Sequence, residues 1–305
     1  MVKYSKLKFD SQEDMESFVK SGELDFENQF SAFVEKISLI SDLKIITLSG
    51  PSCSGKTTAA NKLISEFEKH SKRINIISID DFYYDKHKLH EISRLKGCDK
   101  VDYDSADTID IAALHDFSDE IFSKGSTEVH CPIFDFKKGI RVGYKAIECS
   151  KDDIFVFEGI QALYPQVTAI FDEHDFESVY ISPESNVDVG GIVFEPNEIR
   201  LLRRLVRDHN FRATSAAQTF ELWHSVRHNE EINIFPFKTS CDYRIDSSFA
   251  FDVALLKPYL ESILPEISPD SQYYPEARRI LDKISPIEPI PKKYISENSL
   301  YREFI

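Results

Sequence analysis

Residues 50–57 are Gly50-Pro51-Ser52-Cys53-Ser54-Gly55-Lys56-Thr57, a match to the pattern G-x-x-x-x-G-K-[ST]. The pattern is typical of a phosphate-binding loop when a strand precedes it and a helix follows it. The short, β-branched apolar run at 43–48 predicts a buried strand, and apolar residues at helical spacing over 58–70 predict a helix. Because both flanks fit, we interpret the loop as a ligand site rather than as a chance glycine-rich turn.

The chemistry of phosphate accounts for the spacing within this loop. Glycines allow successive backbone N–H groups to turn toward phosphate oxygens, and the helix that follows presents its positive N-terminal end. Lys56 can reach the β- and γ-phosphates, and the hydroxyl of Thr57 can bind Mg²⁺. The loop residues that we predict to bind the nucleotide are Gly50, Ser52, Cys53, Ser54, Gly55, Lys56, Thr57 and Thr58.

The composition narrows the class of protein. The chain has 305 residues, 42% of them hydrophobic and 29% charged, as in an ordinary soluble globular protein. A formal net charge of −15 argues against general affinity for nucleic acid or acidic membranes. Five scattered cysteines without a C-x-x-C pair indicate reduced thiols, and neither a signal-peptide core nor a membrane-spanning run is evident. We therefore expect a cytoplasmic protein.

The order of the remaining segments predicts an α/β fold with a P-loop NTPase-type parallel sheet flanked by helices. Further strands are predicted at 74–79, 153–157, 176–182 and 239–245, and further helices at 110–123, 213–228 and 250–264. We expect a helical extension over 1–40, the main domain over 41–265, and a Pro-rich tail over 266–305 that wraps the surface of the core and adds little chemistry.

Acidic residues follow two of the predicted strands. Asp80 and Asp81 end the strand at 74–79, and Glu158 ends the strand at 153–157. Ligands of open α/β sheets bind off the carboxyl ends of the strands, so Asp80 or Asp81 should point toward the phosphates, as a proton acceptor or near Mg²⁺. Glu158 fits the acidic position that holds Mg²⁺ directly or through water. The alternative is that these aspartates cap a helix or lie in an ordinary loop, but that would leave their position beside the P-loop unexplained.

A cluster of aspartates and a predicted hairpin lie between these strands. The aspartates surround Tyr103 at positions 102, 104, 107 and 110, where they could cap the next helix or hold sugar hydroxyls, and the residues leave both roles open. Residues 128–136 and 141–148, joined through Lys137-Lys138-Gly139, predict a β-hairpin set apart from the parallel sheet.

One helix is strongly basic in an otherwise acidic chain. Over 196–208 it carries Arg200, Arg203, Arg204 and Arg207 on one face, at i, i+3, i+4 and i+7. Like charges this close together repel one another unless anionic groups lie beside them. We therefore predict an Arg-rich lid whose guanidinium groups reach the phosphates of a nucleotide, with Arg212 in the following loop. The alternative is a solvated face that pairs with surface carboxylates.

Together these segments resemble the uridine kinase and phosphoribulokinase family of P-loop kinases over about residues 43–260. The matching residues, in the family's order, are the P-loop, Asp80-Asp81-Phe82-Tyr83, Tyr103-Asp104, Pro132 to Phe136, Phe157-Glu158-Gly159-Ile160 and Arg200 to Asp208. The segments 135–141 and 223–236 are similar to those of bacterial uridine kinase-like nucleoside kinases.

The resemblance implies a role for each matching residue. It makes Asp80 the general base on a nucleoside 5′-hydroxyl and Asp104 the ligand of the ribose hydroxyls. Thr57 and Glu158 would serve Mg²⁺, and Lys56 and Arg203 the phosphates. Arg204 and Arg207 would face the substrate and the transferred phosphoryl group, Arg212 would close the lid, Tyr83 would line the acceptor pocket, and Asp242 would lie at the adenine.

One departure concerns the base. Uridine–cytidine kinases carry a Tyr and a His on the hairpin that read the pyrimidine, and here those positions hold Phe134 and Gly139, so the resemblance makes Phe134 a substrate contact. Loss of a hydrogen-bonding group from such a pocket can change discrimination by orders of magnitude, so the base remains undetermined.

The function predicted is transfer of the γ-phosphoryl group of ATP, with Mg²⁺, to the 5′-hydroxyl of a small-molecule nucleoside. Alternatives are a kinase of a sugar phosphate or pantothenate-like alcohol, for which Lys137, Lys138 and Arg141 could bind the extra charge, and a non-catalytic nucleotide-binding regulator. We expect no nucleic-acid or membrane partner, and the sequence leaves open whether the chain forms a homo-oligomer.

Overall fold

The centre of the structure, a computed structural model that describes residues 1–98, 101, 103, 105–123 and 127–305, is a five-stranded sheet. The strand order is β10-β7-β2-β6-β3 and every neighbouring pair is parallel. Its strands are β2 (Ile45–Ser49), β3 (Ile74–Ser78), β6 (Ile154–Glu158), β7 (Phe176–Ser182) and β10 (Tyr243–Asp246). All carboxyl ends therefore meet at one edge, where the site must lie.

Helices cover both faces of this sheet. They are α1 (Gln12–Ser38), α2 (Lys56–Glu68), α3 (Lys86–Leu95), α4 (Ile111–Phe122), α5 (Pro165–Thr168), α6 (Pro196–Arg212), α7 (Ala216–Asn233), α8 (Asp252–Ile263) and α9 (Tyr274–Ile284). Consecutive residues of β2 point to opposite faces of the sheet. Ile46 belongs to the hydrophobic cluster that includes α1, α2, α6 and α8, whereas Ile45 belongs to the hydrophobic cluster that includes α4 and the hairpin. The predicted α/β fold is confirmed.

The hairpin stands apart from the parallel sheet as predicted. Strands β4 (Glu128–Asp135) and β5 (Ile140–Glu148) pair antiparallel, with an irregularity at Ile133 and Phe134 that shifts the register. A three-stranded sheet was not predicted: β1 (Val2–Ser5) pairs in parallel with β8 (Asn186–Val189), and β9 (Ile192–Phe194) follows β8. Strands this short carry too few residues for a periodicity to show.

Two helices and one boundary also differ from the prediction. The mostly polar α3 and the tail helix α9 were not expected, because each has only a narrow apolar stripe. Arg212 is the last residue of α6 rather than part of the following loop. The helix ends at Arg212 because the next residue, Ala213, adopts the left-handed conformation, with φ +50°.

The segments at 1–40 and 266–305 share the core of the main domain. Helix α1 buries Phe26, Phe30 and Val34 in the same cluster as β2, and the tail adds Tyr301 and Phe304, both fully buried. The tail does more than wrap the surface of the core, because apolar residues at its far end enter that core. Within the described ranges, no helix is both long and apolar enough to cross a membrane.

Candidate active site

A cavity of about 600 Å³ opens at the carboxyl edge of the sheet. Its charged and polar lining comes mainly from the P-loop with Lys56 and Thr57, from the strand ends with Asp80 and Glu158, and from α6. The fold therefore brings together residues that the sequence singled out independently, at the edge where parallel strands present ligand sites.

The P-loop has the backbone geometry that phosphate binding requires. A Cβ on Gly50 would lie 2.1 Å from the carbonyl oxygen of Ile181, and Cys53 and Gly55 have φ of +61° and +92°. Lys56 Nζ donates to the carbonyl oxygen of Pro51 at 3.1 Å, inside the loop. Ser52, Cys53, Lys56 and Thr57 line the cavity directly, whereas Gly50, Ser54, Gly55 and Thr58 support the loop from behind or beside it.

Asp80 and Glu158 lie at the bottom of the cavity on neighbouring strands. Asp80 is in the short 3-10 helix Ile79–Phe82 that follows β3, and Glu158 is the last residue of β6. Burial raises the pKa of Asp80, although Lys56 and a hydrogen bond from Tyr83 lower it. Burial likewise raises the pKa of Glu158 to about 7, with Lys56 opposing and Asp80 adding to the shift. Both carboxylates therefore have more basic character than a surface acid has.

The donor set fits Mg²⁺. Thr57 and Glu158 offer a hydroxyl and a carboxylate beside the phosphate loop, and Mg²⁺ is usually held by one or two carboxylates together with substrate phosphates and water. A cation would also offset the cost of burial that raises the pKa of Glu158. Among the described residues no group of three or more His, Cys, Asp or Glu side chains could bind a metal without such a substrate.

Helix α6 carries five arginines, and the four that share one face divide into two pairs. Arg204 and Arg207 line the cavity, and Arg204 Nη1 donates to the hydroxyl of Ser52 at 3.2 Å. Asp208 lies beside both guanidinium groups, 3.2 Å from Arg204 and 2.7 Å from Arg207. Arg212 also lines the cavity, from the end of the helix, with more than half of its side chain exposed.

The other two arginines are structural. Arg200 pairs with Glu230, and Arg203 pairs with Asp252 at 2.8 Å, where neither side chain of the second pair is exposed. Arg203 therefore does not reach the nucleotide phosphates, contrary to the prediction, because its guanidinium is enclosed by Asp252 and three aromatic rings. Spacing correctly placed the four arginines on one helix, but their partners come from distant parts of the chain.

Aromatic and aliphatic side chains also line the cavity. They are those of Tyr83, Tyr103, Phe136, Ile160, Val226 and Ile234. The hydroxyl of Tyr83 lies 3.0 Å from the carbonyl oxygen of Tyr103 and accepts from Gln161 at 3.0 Å, so Asp80 and this carbonyl are alternative acceptors for its single proton. Phe134, which we predicted to contact the substrate, is buried against Tyr83 and Phe136 and does not line the cavity.

Two predicted contacts are not seen at the cavity. Asp242 lies before β10, and its carboxylate accepts from the backbone and hydroxyl of Ser178 at 2.9 and 2.5 Å. Because Ser178 is paired with Thr47 in the middle of β2, Asp242 lies short of the carboxyl edge of the sheet and does not line the cavity. Asp104, the predicted ribose ligand, lies outside the described residues, as does Asp102.

One residue of the site was missed. Glu303 lines the cavity, and its Oε2 accepts a hydrogen bond from the hydroxyl of Thr58 at 3.2 Å. The signal for it is weak: Leu300, Tyr301 and Phe304 form an apolar group in a polar, Pro-rich tail. Such a group predicts docking onto the core, but not where on the core it docks.

Comparison with known proteins adds independent findings. Residues 45–254 match the model of the Phosphoribulokinase / Uridine kinase family. The chain is 27% identical over 182 residues to the uridine kinase of Ureaplasma urealyticum, covering 60% of this chain and 77% of that protein. It is 27% identical over 223 residues to the uridine kinase of Lactobacillus helveticus, covering 72% of this chain and 95% of that protein.

A solved structure with a different acceptor is also similar. It is D-glycerate 3-kinase from Cryptococcus neoformans, with a TM-score of 0.48 and 19% identity over 70% of this chain and 86% of that chain. A likeness of this degree says nothing about the acceptor of the present chain.

Proposed function

We propose, since this chain belongs to the Phosphoribulokinase / Uridine kinase family, that it is a kinase that transfers the γ-phosphoryl group of ATP to the 5′-hydroxyl of a nucleoside. The observation that carries the proposal is the convergence of Lys56, Asp80, Arg204 and Arg207 on one cavity with aromatic walls. Phosphoryl transfer needs mainly positioning and charge stabilisation, and these are the groups that supply both.

The reaction follows from the placement of these groups. Asp80 accepts the proton of the acceptor hydroxyl as its oxygen forms a bond to the γ-phosphorus and the bond from that phosphorus to the β-phosphate oxygen breaks, which leaves ADP. Lys56, Arg204 and Arg207 stabilise the charge on the transferred group. Mg²⁺, bound by Thr57 and Glu158 with the phosphates, would neutralise part of that charge. The raised pKa of Asp80 favours proton acceptance near neutral pH.

We assign the aromatic and aliphatic lining of the cavity to the acceptor side of the site. This lining suits a nucleoside better than a sugar phosphate. Phe136, Tyr83 and Tyr103 offer ring faces to a flat base. Two of the three hairpin cations considered for a second phosphate are engaged elsewhere: Lys138 pairs with Asp135 and Arg141 with Asp110, both at 3.3 Å. The family membership and the place of Asp80 favour catalysis over a purely regulatory role.

The decisive experiment measures ADP release with Mg²⁺-ATP against uridine, cytidine, other nucleosides, ribulose 5-phosphate and pantothenate. Asp80→Asn should lose turnover by about 10²–10⁴-fold while ATP still binds. Asp81→Asn is the matched control, because the carboxylate of Asp81 accepts from the backbone of Phe134 and does not line the cavity. Turnover with a non-nucleoside alone would reassign the acceptor, and ATP binding without any turnover would favour the regulator.

A further inference from the structure

The end of the tail is fixed against the P-loop. Residues Leu300–Glu303 form a 3-10 helix, and a Cβ on Gly55 would lie 2.3 Å from Leu300 Cδ1. Tyr301 and Phe304 are fully buried, with ring centroids 5.2 and 5.3 Å from the guanidinium carbon of Arg203. Asn210 Nδ2 also donates to the carbonyl oxygen of Phe304 at 3.2 Å. The backbone around Glu303 is therefore held from both sides.

The side chain that this arrangement delivers is a carboxylate. Glu303 is half-buried, lines the cavity, and accepts a hydrogen bond from Thr58 Oγ1. Thr58 lies in the first turn of α2, where unpaired N–H groups and the helix dipole favour an anion. Glu303 thus presents its negative oxygens to the same helix end that the P-loop offers to phosphate.

The charge of Glu303 reaches the reacting part of the cavity. After burial and Asp80, it is a further reason why the pKa of Glu158 is raised, and its charge also raises the pKa of Arg207. A nucleoside triphosphate that binds the P-loop would be repelled by this carboxylate as well as attracted by Lys56, Arg204 and Arg207. Like charges at short range in a partly buried site repel substantially.

We propose that Glu303 is an intramolecular competitor of the donor nucleotide. Its carboxylate is held at the edge of the P-loop by the hydroxyl of Thr58, and from there it lines the cavity and repels the phosphates of a bound nucleotide. The tail therefore lowers the affinity of the site for ATP. The identity of the repelled ligand rests on the proposed function. The device belongs to this chain's own tail, because Glu303 lies outside the residues 45–254 that match the family.

The test is the dissociation constant of ATP, with and without Mg²⁺, for the full chain and for two variants. Glu303→Gln removes the charge and keeps the shape of the side chain, so Tyr301 and Phe304 should hold the tail in place. Glu297→Gln makes the same change of charge on an exposed residue of the same tail. Thermal unfolding of each variant shows that the fold is retained.

We expect Glu303→Gln to bind ATP about 3- to 30-fold more tightly, with the larger effect in the absence of Mg²⁺, because the uncompensated phosphate charge is then greater. Glu297→Gln should bind as the wild type does. Unchanged or weaker binding of ATP by Glu303→Gln, with the wild type binding normally, overturns the inference and leaves the proposed kinase intact. If neither protein binds ATP, the inference and the proposed function fall together.

Discussion

Arg200 and Glu230 form a fully buried ion pair with two parallel contacts, in which Nη1 lies 2.5 Å from Oε1 and Nη2 lies 2.6 Å from Oε2. The pair joins α6 to α7, and Arg200 also donates to the carbonyl oxygen of Ser52 in the P-loop at 3.3 Å. Arg227 adds a second cation 2.7 Å from Glu230. One buried carboxylate thus ties two helices of the site to each other, and through Arg200 to the phosphate loop.

Removal of the charge on Glu230 should strongly destabilise the protein. Glu230→Gln leaves the buried guanidinium of Arg200 without its counter-ion, which costs about 3–5 kcal/mol in such settings. Urea-induced unfolding measures the loss. Glu231→Gln, on the next residue, is the control: Glu231 is exposed and contacts Arg227 at 3.3 Å, so its loss should cost less than about 1 kcal/mol. Equal losses for the two variants would contradict the expectation.

Arg203 and Arg207, four residues apart on α6, should respond in opposite ways to replacement by Lys. Arg203→Lys loses the paired contacts to Asp252 and the stacking on Tyr301, so we expect about 2–4 kcal/mol less stability and little change in kcat of the folded protein.

Arg207→Lys should keep most of the stability and lower kcat by about 10- to 1000-fold, because Arg207 lines the cavity. Unfolding curves and initial rates, measured side by side, separate the two effects. A variant Arg203→Lys with normal stability and low kcat would mean that Arg203 acts on the nucleotide after all.

Glu158 should make the ligand-free protein less stable as the pH rises. Its pKa is about 7 in the folded chain and close to 4.5 when unfolded, so between these values the folded state binds more protons than the unfolded state. Stability therefore falls from about pH 4.5 to pH 7, and Glu158→Gln should recover about 1–3 kcal/mol at pH 8 and much less at pH 5.

Asp153 provides the comparison of opposite sign for that experiment. Burial alone would raise its pKa, but hydrogen bonds from Arg73 and Ser150 lower it overall. Its contribution is fully present above the usual carboxyl pKa of 3.8 and is lost as the pH falls through its lowered pKa, so Asp153→Asn should destabilise the protein equally at pH 8 and pH 5 and less near about pH 3. Unfolding at about pH 3, 5 and 8 tests both variants, and a Glu158→Gln gain that is independent of pH would refute the assignment.

Phe136 should govern the acceptor and not the donor. Its ring lines the cavity although more than half of the residue is exposed, so Phe136→Ala removes a stacking surface without opening the core. We expect KM for the acceptor to rise about 5- to 20-fold, with KM for ATP unchanged. Val142→Ala is the control, because Val142 is exposed on the same hairpin away from the cavity. A rise in KM for ATP instead would place Phe136 on the donor side.

The features that depend on a local sequence pattern are the ones that could be predicted from the sequence. The P-loop, the acidic ends of β3 and β6 and the Arg-rich α6 each have a signature within about 15 residues, and the parallel topology then brings them to one edge. The assignment of individual arginines was less successful. Whether Arg203 or Arg207 faces the phosphates depends on Asp252, Asp208 and Tyr301, and two of these are far away in the chain.

The remaining misses share this cause. Phe134 and Phe136 both suit the acceptor wall, and the difference between them is one of tertiary packing: Phe134 lies in β4 and is buried, whereas Phe136 follows the strand, is mostly exposed and lines the cavity. Asp242 precedes a strand of the correct sheet but lies toward its amino end, which depends on where β10 starts. Glu303 reached the site through tertiary docking, which no short pattern encodes.

The aromatic enclosure of Arg203 has a consequence for synthesis of the chain on the ribosome. Tyr301 and Phe304 are translated about a hundred residues after Arg203, which at about 5–20 residues per second is a delay of roughly 5–20 s. During that interval α6 lacks the packing of Tyr301 and Phe304 on Arg203, and Leu300 does not yet cover Gly55 of the P-loop. A cell must therefore finish translation of the tail before this fold can close around its own active site.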